Sequence, residues 1–200
     1  MAATDIVALA DARTFLNISG NANDNDLLSL ITAASDMIES RIGPVAGSPA
    51  YDEWYDGGST QIVLRHTPVQ SITSVTESYG GTVTYTLTQV VLDAGLTMGT
   101  YGYTFDTSNG LLTRRASGGT IPFPLGTMNI HVKYTAGFAT IPAELKTACL
   151  LLVKHLWEPR RGGARRPGLG GNDEGSLKDE GDFPARVEEI LANFYVPGIA

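Results

Sequence analysis

Residues 134–163, YTAGFATIPAELKTACLLLVKHLWEPRRGG, constrain the fold of this chain more than any other stretch. A β-like run ends at Tyr134, and Gly137 breaks it. Pro142 then opens a helix of about one and a half dozen residues, because the missing N–H of a proline costs nothing in a first helical turn. Leu145, Ala148, Leu152 and Leu156 recur at spacings of three and four, the apolar stripe of a packed helix. Leu150, Leu151 and Val153 widen the stripe, so this helix is expected to be contacted on more than one side. Pro159, Gly162 and Gly163 end it. At 1.5 Å per residue it is roughly 25 Å long, enough to be the main packing rod of a domain.

Two helices are expected before it. Residues 5–17 carry Ile6, Leu9, Ala12 and Leu16 on one face, with Thr4 as cap and Asp5 at the positive end of the dipole. NISGNANDND is loop, since Asn, Asp and Gly tolerate turn conformations. Asn23 or Asp24 can cap a second helix over 25–42, striped by Leu27, Ile31, Ala34, Ile38 and Ile42 and stopped by Gly43–Pro44. Residues 184–195 form a last amphipathic helix, with Val187, Ile190, Leu191 and Phe194 on one face. It is too short to be stable alone and has to dock on its own domain or on a partner.

The composition changes at Tyr51. Seventeen of the residues from 51 to 140 are Thr and only ten are charged, a balance that favours strands. QIVLRH, PVQSITSVTES, TVTYTLTQVVL, YGYTFD, GLLTRR and MNIHVKYTAG read as six short strands between Gly, Pro, Asn and Asp breakers. SYGGT and TSNGL read as hairpin turns, because Gly-Gly and Asn-Gly supply the positive φ such turns need. The fold class expected is α+β: a helical core of two long helices plus short N- and C-terminal helices, carrying an antiparallel β-rich insertion. The segments expected are a helical part at 1–49, the insertion at 50–135, the main core helix at 136–158, a flexible arm at 159–183, and a C-terminal helix and tail at 184–200.

Several function classes are disfavoured. The net charge of −7 argues against general nucleic-acid binding, which needs clustered cations. No apolar run approaches the ~20 residues of a membrane span. MAATDIVALADAR lacks a basic region followed by an apolar core, so it does not read as a signal peptide. Cys149, the single cysteine, lies inside the apolar helix and reads as a buried small hydrophobe. His66, His131 and His155 are far apart in sequence, and no Cys/His spacing suits a metal. His155 with Glu158 reads as a surface pair. Asp52, Glu53 and Asp56 in YDEWYDGG could hold a cation or a sugar, but a loop explains them with less. RRAS at 114–117 reads as chance. No catalytic, cofactor or metal residues are assigned, and no enzyme is expected.

Residues 159–182, PRRGGARRPGLGGNDEGSLKDEGD, are interrupted by Pro and Gly and nearly devoid of large apolar residues. Arg160, Arg161, Arg165 and Arg166 come first and carboxylates follow. Three readings stand: a solvated linker, an arm whose arginines meet carboxylates on a neighbour, and DNA contact by the four arginines, which the acidic half beside them disfavours. The apolar end VPGIA is either a frayed tail or a peptide that inserts into a partner.

Three pieces together resemble one known family. They are the helix pair LADARTFLNISGNANDNDLLSLITAASDMIESRIG at 9–43, the strand–turn–proline–helix described above, and FPARVEEILANFYVPG at 183–198. In order and character they resemble the head–tail connector (adaptor) proteins of long-tailed bacteriophages, over about half the chain. Residues 50–133 depart from the shorter, mostly helical members. The resemblance implies a non-enzymatic virion protein of the neck, without cofactor or membrane. It implies a ring, commonly a dodecamer, beneath the portal protein and above a head-closure (stopper) or tail-completion protein, with DNA passing through the lumen unbound. Arg160, Arg161, Arg165, Arg166, Phe194 and Tyr195 are the residues expected to face the portal or a neighbouring copy. The alternatives are another neck or tail-completion protein, or a host-surface or carbohydrate-binding module. The last would place Trp54, Tyr55, Tyr101 and Tyr103 on one exposed face.

Overall fold

The computed structural model describes residues 5–81, 83–90, 101–116, 119–158 and 183–194. They divide into two compact units, one helical (5–45, 140–158 and 183–194) and one made of strands (46–139).

The helical unit holds α1 (Leu9–Phe15), α2 (Asp24–Ile42), α3 (Ala143–Trp157) and α4 (Ala185–Ala192). α2 packs on α3, and α4 and α1 each pack on both. The stripes meet in one core: Leu27, Ile31, Ala34 and Ile38 of α2, Leu145, Ala148, Cys149 and Leu152 of α3, and Val187 and Leu191 of α4 are all buried. Pro142 and Pro184 stand just ahead of α3 and α4, and Gly43, at φ 87°, ends α2. The first helix is shorter than its apolar spacing predicts. Ile6 and Val7 are buried in a bend ahead of it, and the Ile6 N–H donates to Ser35 Oγ (3.0 Å), held there by α2 rather than by a helical turn. Asp24 does not cap α2 through its side chain. Its carboxylate accepts from Arg13 Nε (2.8 Å) and so ties α1 to α2.

The second unit is one sheet of eight strands: β1 (Ala50–Tyr55), β2 (Gln61–Val63), β3 (Val69–Tyr79), β4 (Val83–Gln89), β5 (Gly102–Asp106), β6 (Leu111–Ala116), β7 (Gly119–Thr120) and β8 (Ile130–Ala136). The order is β1-β8-β3-β4-β5-β6-β2, with β7 paired to β6. Alternation turns Val75, Leu87, Tyr103, Leu112, Ile130, Val132 and Tyr134 into a single core that also takes in Tyr55 from β1 and Ile62 from β2. These two strands end the order at opposite sides, yet the Arg65 N–H reaches Tyr55 Oη (3.1 Å), so the sheet curls around its core. The glycine turns at 80–81 and 110, all at positive φ, close the β3–β4 and β5–β6 hairpins.

This architecture corrects the expected fold class. Among the described residues the chain is β-rich, with eight strands in one sheet against four helices, and the sheet is mixed rather than antiparallel, because β4 and β5 run parallel (Thr88↔Gly102, Gln89↔Tyr103). A parallel pairing requires a crossover connection, which residue alternation within each strand does not announce. The sheet also gains β1, which the charges of Asp52 and Glu53 disguise as loop, and the two-residue β7.

The sheet has two distinct ends. Ala50 lies opposite Thr135 and Val69 opposite Ala136, at the end where the chain enters and leaves the unit. Tyr55 lies opposite Ile130, and Tyr79 opposite Val83, at the far end. Among the described residues, no helix is long and apolar enough to cross a membrane.

Candidate functional site

The far end of the sheet holds an ion pair where the alternation calls for apolar residues. Val75, Glu77 and Tyr79 share one parity in β3, as do Leu112 and Arg114 in β6. Glu77 is 1% exposed and Arg114 7%. Arg114 donates Nε and Nη2 to the two carboxylate oxygens (Nη2–Oε2 2.9 Å), Nη1 to the Pro122 carbonyl (3.1 Å) and Nη2 to Tyr79 Oη (3.2 Å). The Tyr79 hydroxyl donates to Glu77 Oε2 (3.1 Å). Burial works against the guanidinium charge, but the hydrogen bonds and charge of Glu77 outweigh it and raise the Arg114 pKa.

Above this pair opens a cavity of about 550 Å³, walled by Tyr79, Val83, Tyr85, Leu87 and Tyr101. Tyr79 and Tyr85 meet edge to face (centroids 5.5 Å apart, 84°), and the Arg114 guanidinium lies 5.9 Å from the Tyr101 ring centroid. Tyr85 and Tyr101 are 58% and 63% exposed. Because the floor charges cancel, the cavity attracts neither anions nor cations strongly. Exposed aromatic and apolar walls around a neutral floor suit apolar groups of another polypeptide.

A second polar cluster braces β1. Glu53 Oε2 accepts from the hydroxyls of Tyr55 (2.5 Å) and Tyr134 (2.7 Å), while Oε1 faces Arg65 (3.5 Å) and His66 (3.7 Å). Burial alone would raise the Glu53 pKa. The two phenols and the neighbouring charges more than offset it, and the net shift is downward. Burial, then Glu53, pushes the Tyr55 hydroxyl up to about 12, and Tyr134 is raised likewise. Tyr51 stacks on His66 (3.8 Å) beside this cluster. On the opposite face of β1, Asp52 bonds to His131 and to Lys133 (3.1 Å), and Trp54 stacks on His131 (4.3 Å). Asp56 accepts from the Met128 N–H (2.7 Å). The three acidic residues of YDEWYDGG therefore point to three different partners rather than converging on one ligand.

Of the residues expected to face partners, Arg160, Arg161, Arg165, Arg166 and Tyr195 lie outside the described residues. Phe194 sits just beyond α4, half-buried, its N–H donating to the Leu191 carbonyl (2.9 Å). Glu158 pairs with Lys154 (3.8 Å) on the surface of α3. Cys149 is buried, its thiol pushed up to about 12 by desolvation. The four aromatics of the carbohydrate-binding alternative do not share an exposed face. Tyr55 and Tyr103 are in the core, while Trp54 and Tyr101 are exposed. Sequence reasoning passed over Glu77, Tyr79, Tyr85 and Arg114. The available signal was a charged residue of apolar parity in each of two strands, Glu77 after Val75 and Arg114 after Leu112.

No curated protein sequence matches the chain. Solved structures share its fold along nearly its whole length. A chain in the neck of an empty GTA particle, computed with C6 symmetry, aligns with 100% of this chain and 95% of its own at a TM-score of 0.59 and 18% identity. A chain in the virion of a native gene transfer agent particle gives 0.57 and 19% over 98% and 92%. One from the native GTA neck, computed with C12 symmetry, gives 0.56 and 19% over 100% and 95%. The model of the head completion protein family matches residues 5–195. With nearly all of its length covered by that model, the chain belongs to the head completion protein family.

Proposed function

We propose that this chain is a structural subunit of the neck of a phage-like particle, where copies form a ring joining the capsid portal to the head-closure or tail-completion proteins. DNA passes through the lumen of that ring without specific binding. The observation that carries the reading is the match of the whole fold, helices and sheet together, to chains of GTA necks, alongside membership of the head completion family. Those necks were computed with C6 and C12 symmetry, which supports a ring for this chain as well. The role is architectural: the charged groups described above are engaged with one another in braces and buried pairs. Arg160, Arg161, Arg165, Arg166, Phe194 and Tyr195 are proposed to meet the portal or the next subunit. Charged forks such as arginines form bidentate contacts with carboxylates, and the ordering cost of a glycine-rich arm is recovered only on docking.

Cryo-electron microscopy of the particle's neck tests this reading. A ring of this chain directly beneath the portal, with the arginines against a neighbour, is the expected result. Finding the chain further along the tail, or absent from the particle, overturns it.

A further inference from the structure

Beside the aromatic cavity, the far end of the sheet displays an apolar side chain on a rigid mount. Leu125 is 92% exposed and Met128 61%. Their segment, IPFPLGTM at 121–128, carries no charge. It is nonetheless firmly held. Phe123 is buried as an anchor, and its N–H donates to the Ser59 carbonyl (2.8 Å). The Gly57 N–H donates to the Gly126 carbonyl (2.9 Å) and the Gly58 N–H to the Phe123 carbonyl (3.1 Å). Asn129 Nδ2 donates to the Pro124 carbonyl (2.8 Å). Gly57 is required here, since a Cβ on it would come within 1.9 Å of the Pro124 oxygen. An exposed leucine on a floppy loop needs no explanation. One on a loop pinned by four hydrogen bonds, at Phe123, Pro124 and Gly126, is presented to something.

We propose that Leu125 of one copy seats in the Tyr79–Tyr85–Tyr101 cavity of the next, so that the far ends of the sheets form a copy-to-copy contact of the ring. The proposal rests on the ring reading above. Two observations favour a second copy as the occupant. First, the chain carries a net charge of −7, so like copies repel except where their surfaces are neutral. The knob segment is uncharged, and the socket's two charges cancel. Second, a head-to-tail ring needs two different complementary patches on one molecule, and a projecting leucine with an aromatic socket is such a pair.

The test uses the full-length chain carrying Leu125→Cys and Tyr85→Cys together, with each single variant as control. Cys149 is buried and leaves the background low. Under mild oxidation, assembled necks of the double variant are expected to give reducible covalent dimers and higher multimers that neither single variant gives. A visible ring with no crosslinking beyond the single variants overturns the proposal and leaves the ring reading standing. Absence of any ring in wild-type particles removes both. Leu125→Asp supplies an independent measurement, because an exposed side chain can change without unfolding the sheet. Self-association at least about tenfold weaker, with an unchanged circular dichroism spectrum, is expected for an anchor residue. Unchanged association overturns the proposal.

Discussion

Replacing Arg114 by alanine tests the central claim about the far end of the sheet. The guanidinium makes four hydrogen bonds, two of them to Glu77, which is 1% exposed. Without it, Glu77 keeps the Tyr79 hydroxyl at 3.1 Å, and the Pro122 carbonyl loses its donor. Stranding one member of a buried pair costs roughly 3–5 kcal/mol. Glu77 borders the cavity, so water can reach the orphaned carboxylate, and the cost should fall near the lower figure, about 3 kcal/mol. That is a more than hundredfold change in the unfolding equilibrium. For a unit of this size it lowers the melting temperature by roughly 12–24 °C. The chain has two tryptophans, Trp54 in the sheet and Trp157 in α3. Urea unfolding followed by fluorescence in a Trp157→Phe background therefore reads the sheet alone. The control is the paired change Glu77→Leu with Arg114→Met, which removes both charges and should cost little or even stabilise. A loss below about 1 kcal/mol for Arg114→Ala, or a paired variant as unstable as the single one, would refute the reasoning.

Three further outcomes are expected. Gly57→Ala forces a methyl onto the Pro124 carbonyl and should destabilise the sheet by about 1–3 kcal/mol, read by the same urea titration. Ser35→Ala strands the buried Ile6 N–H, so amide exchange at Ile6 should accelerate and the helical unit should lose about 1–3 kcal/mol. Stability should also fall at both pH extremes. Glu53, held below its ordinary 4.5, contributes stability above that value that is lost as pH drops through the folded pKa. Tyr55, raised from 10.0 to about 12, contributes stability below pH 10 that is lost as pH climbs between those values. Thermal melts against pH should show both limbs, with the acid limb flattened in Glu53→Gln.

The candidate surface was harder to read in the sequence than the helices were. Glu77 and Arg114 are 37 positions apart and belong to strands that are not neighbours in the sheet. In isolation each looks like one polar residue in a polar strand. Leu125 and Met128 sit in a Pro- and Gly-broken stretch that reads only as a loop. Their meaning comes from hydrogen bonds to Gly57, Gly58 and Ser59, more than sixty residues earlier.

What the sequence determined by itself is local. The spacing of Leu27, Ile31, Ala34 and Ile38, and of Leu145, Ala148 and Leu152, marks the buried faces of α2 and α3, because a helix closes its hydrogen bonds within four residues. Pro142, Gly43 and the Gly80–Gly81 turn likewise act through their own φ angles. Tertiary structure decided the rest. β1 is a strand because His131 and Lys133 on one face, and Tyr134 on the other, satisfy Asp52 and Glu53 across the ladder. β4 lies parallel to β5, and the sheet curls until the segment after β2 meets β1. A strand's partners are supplied by distant segments, so its pairing, direction and closure depend on contacts that no local period records.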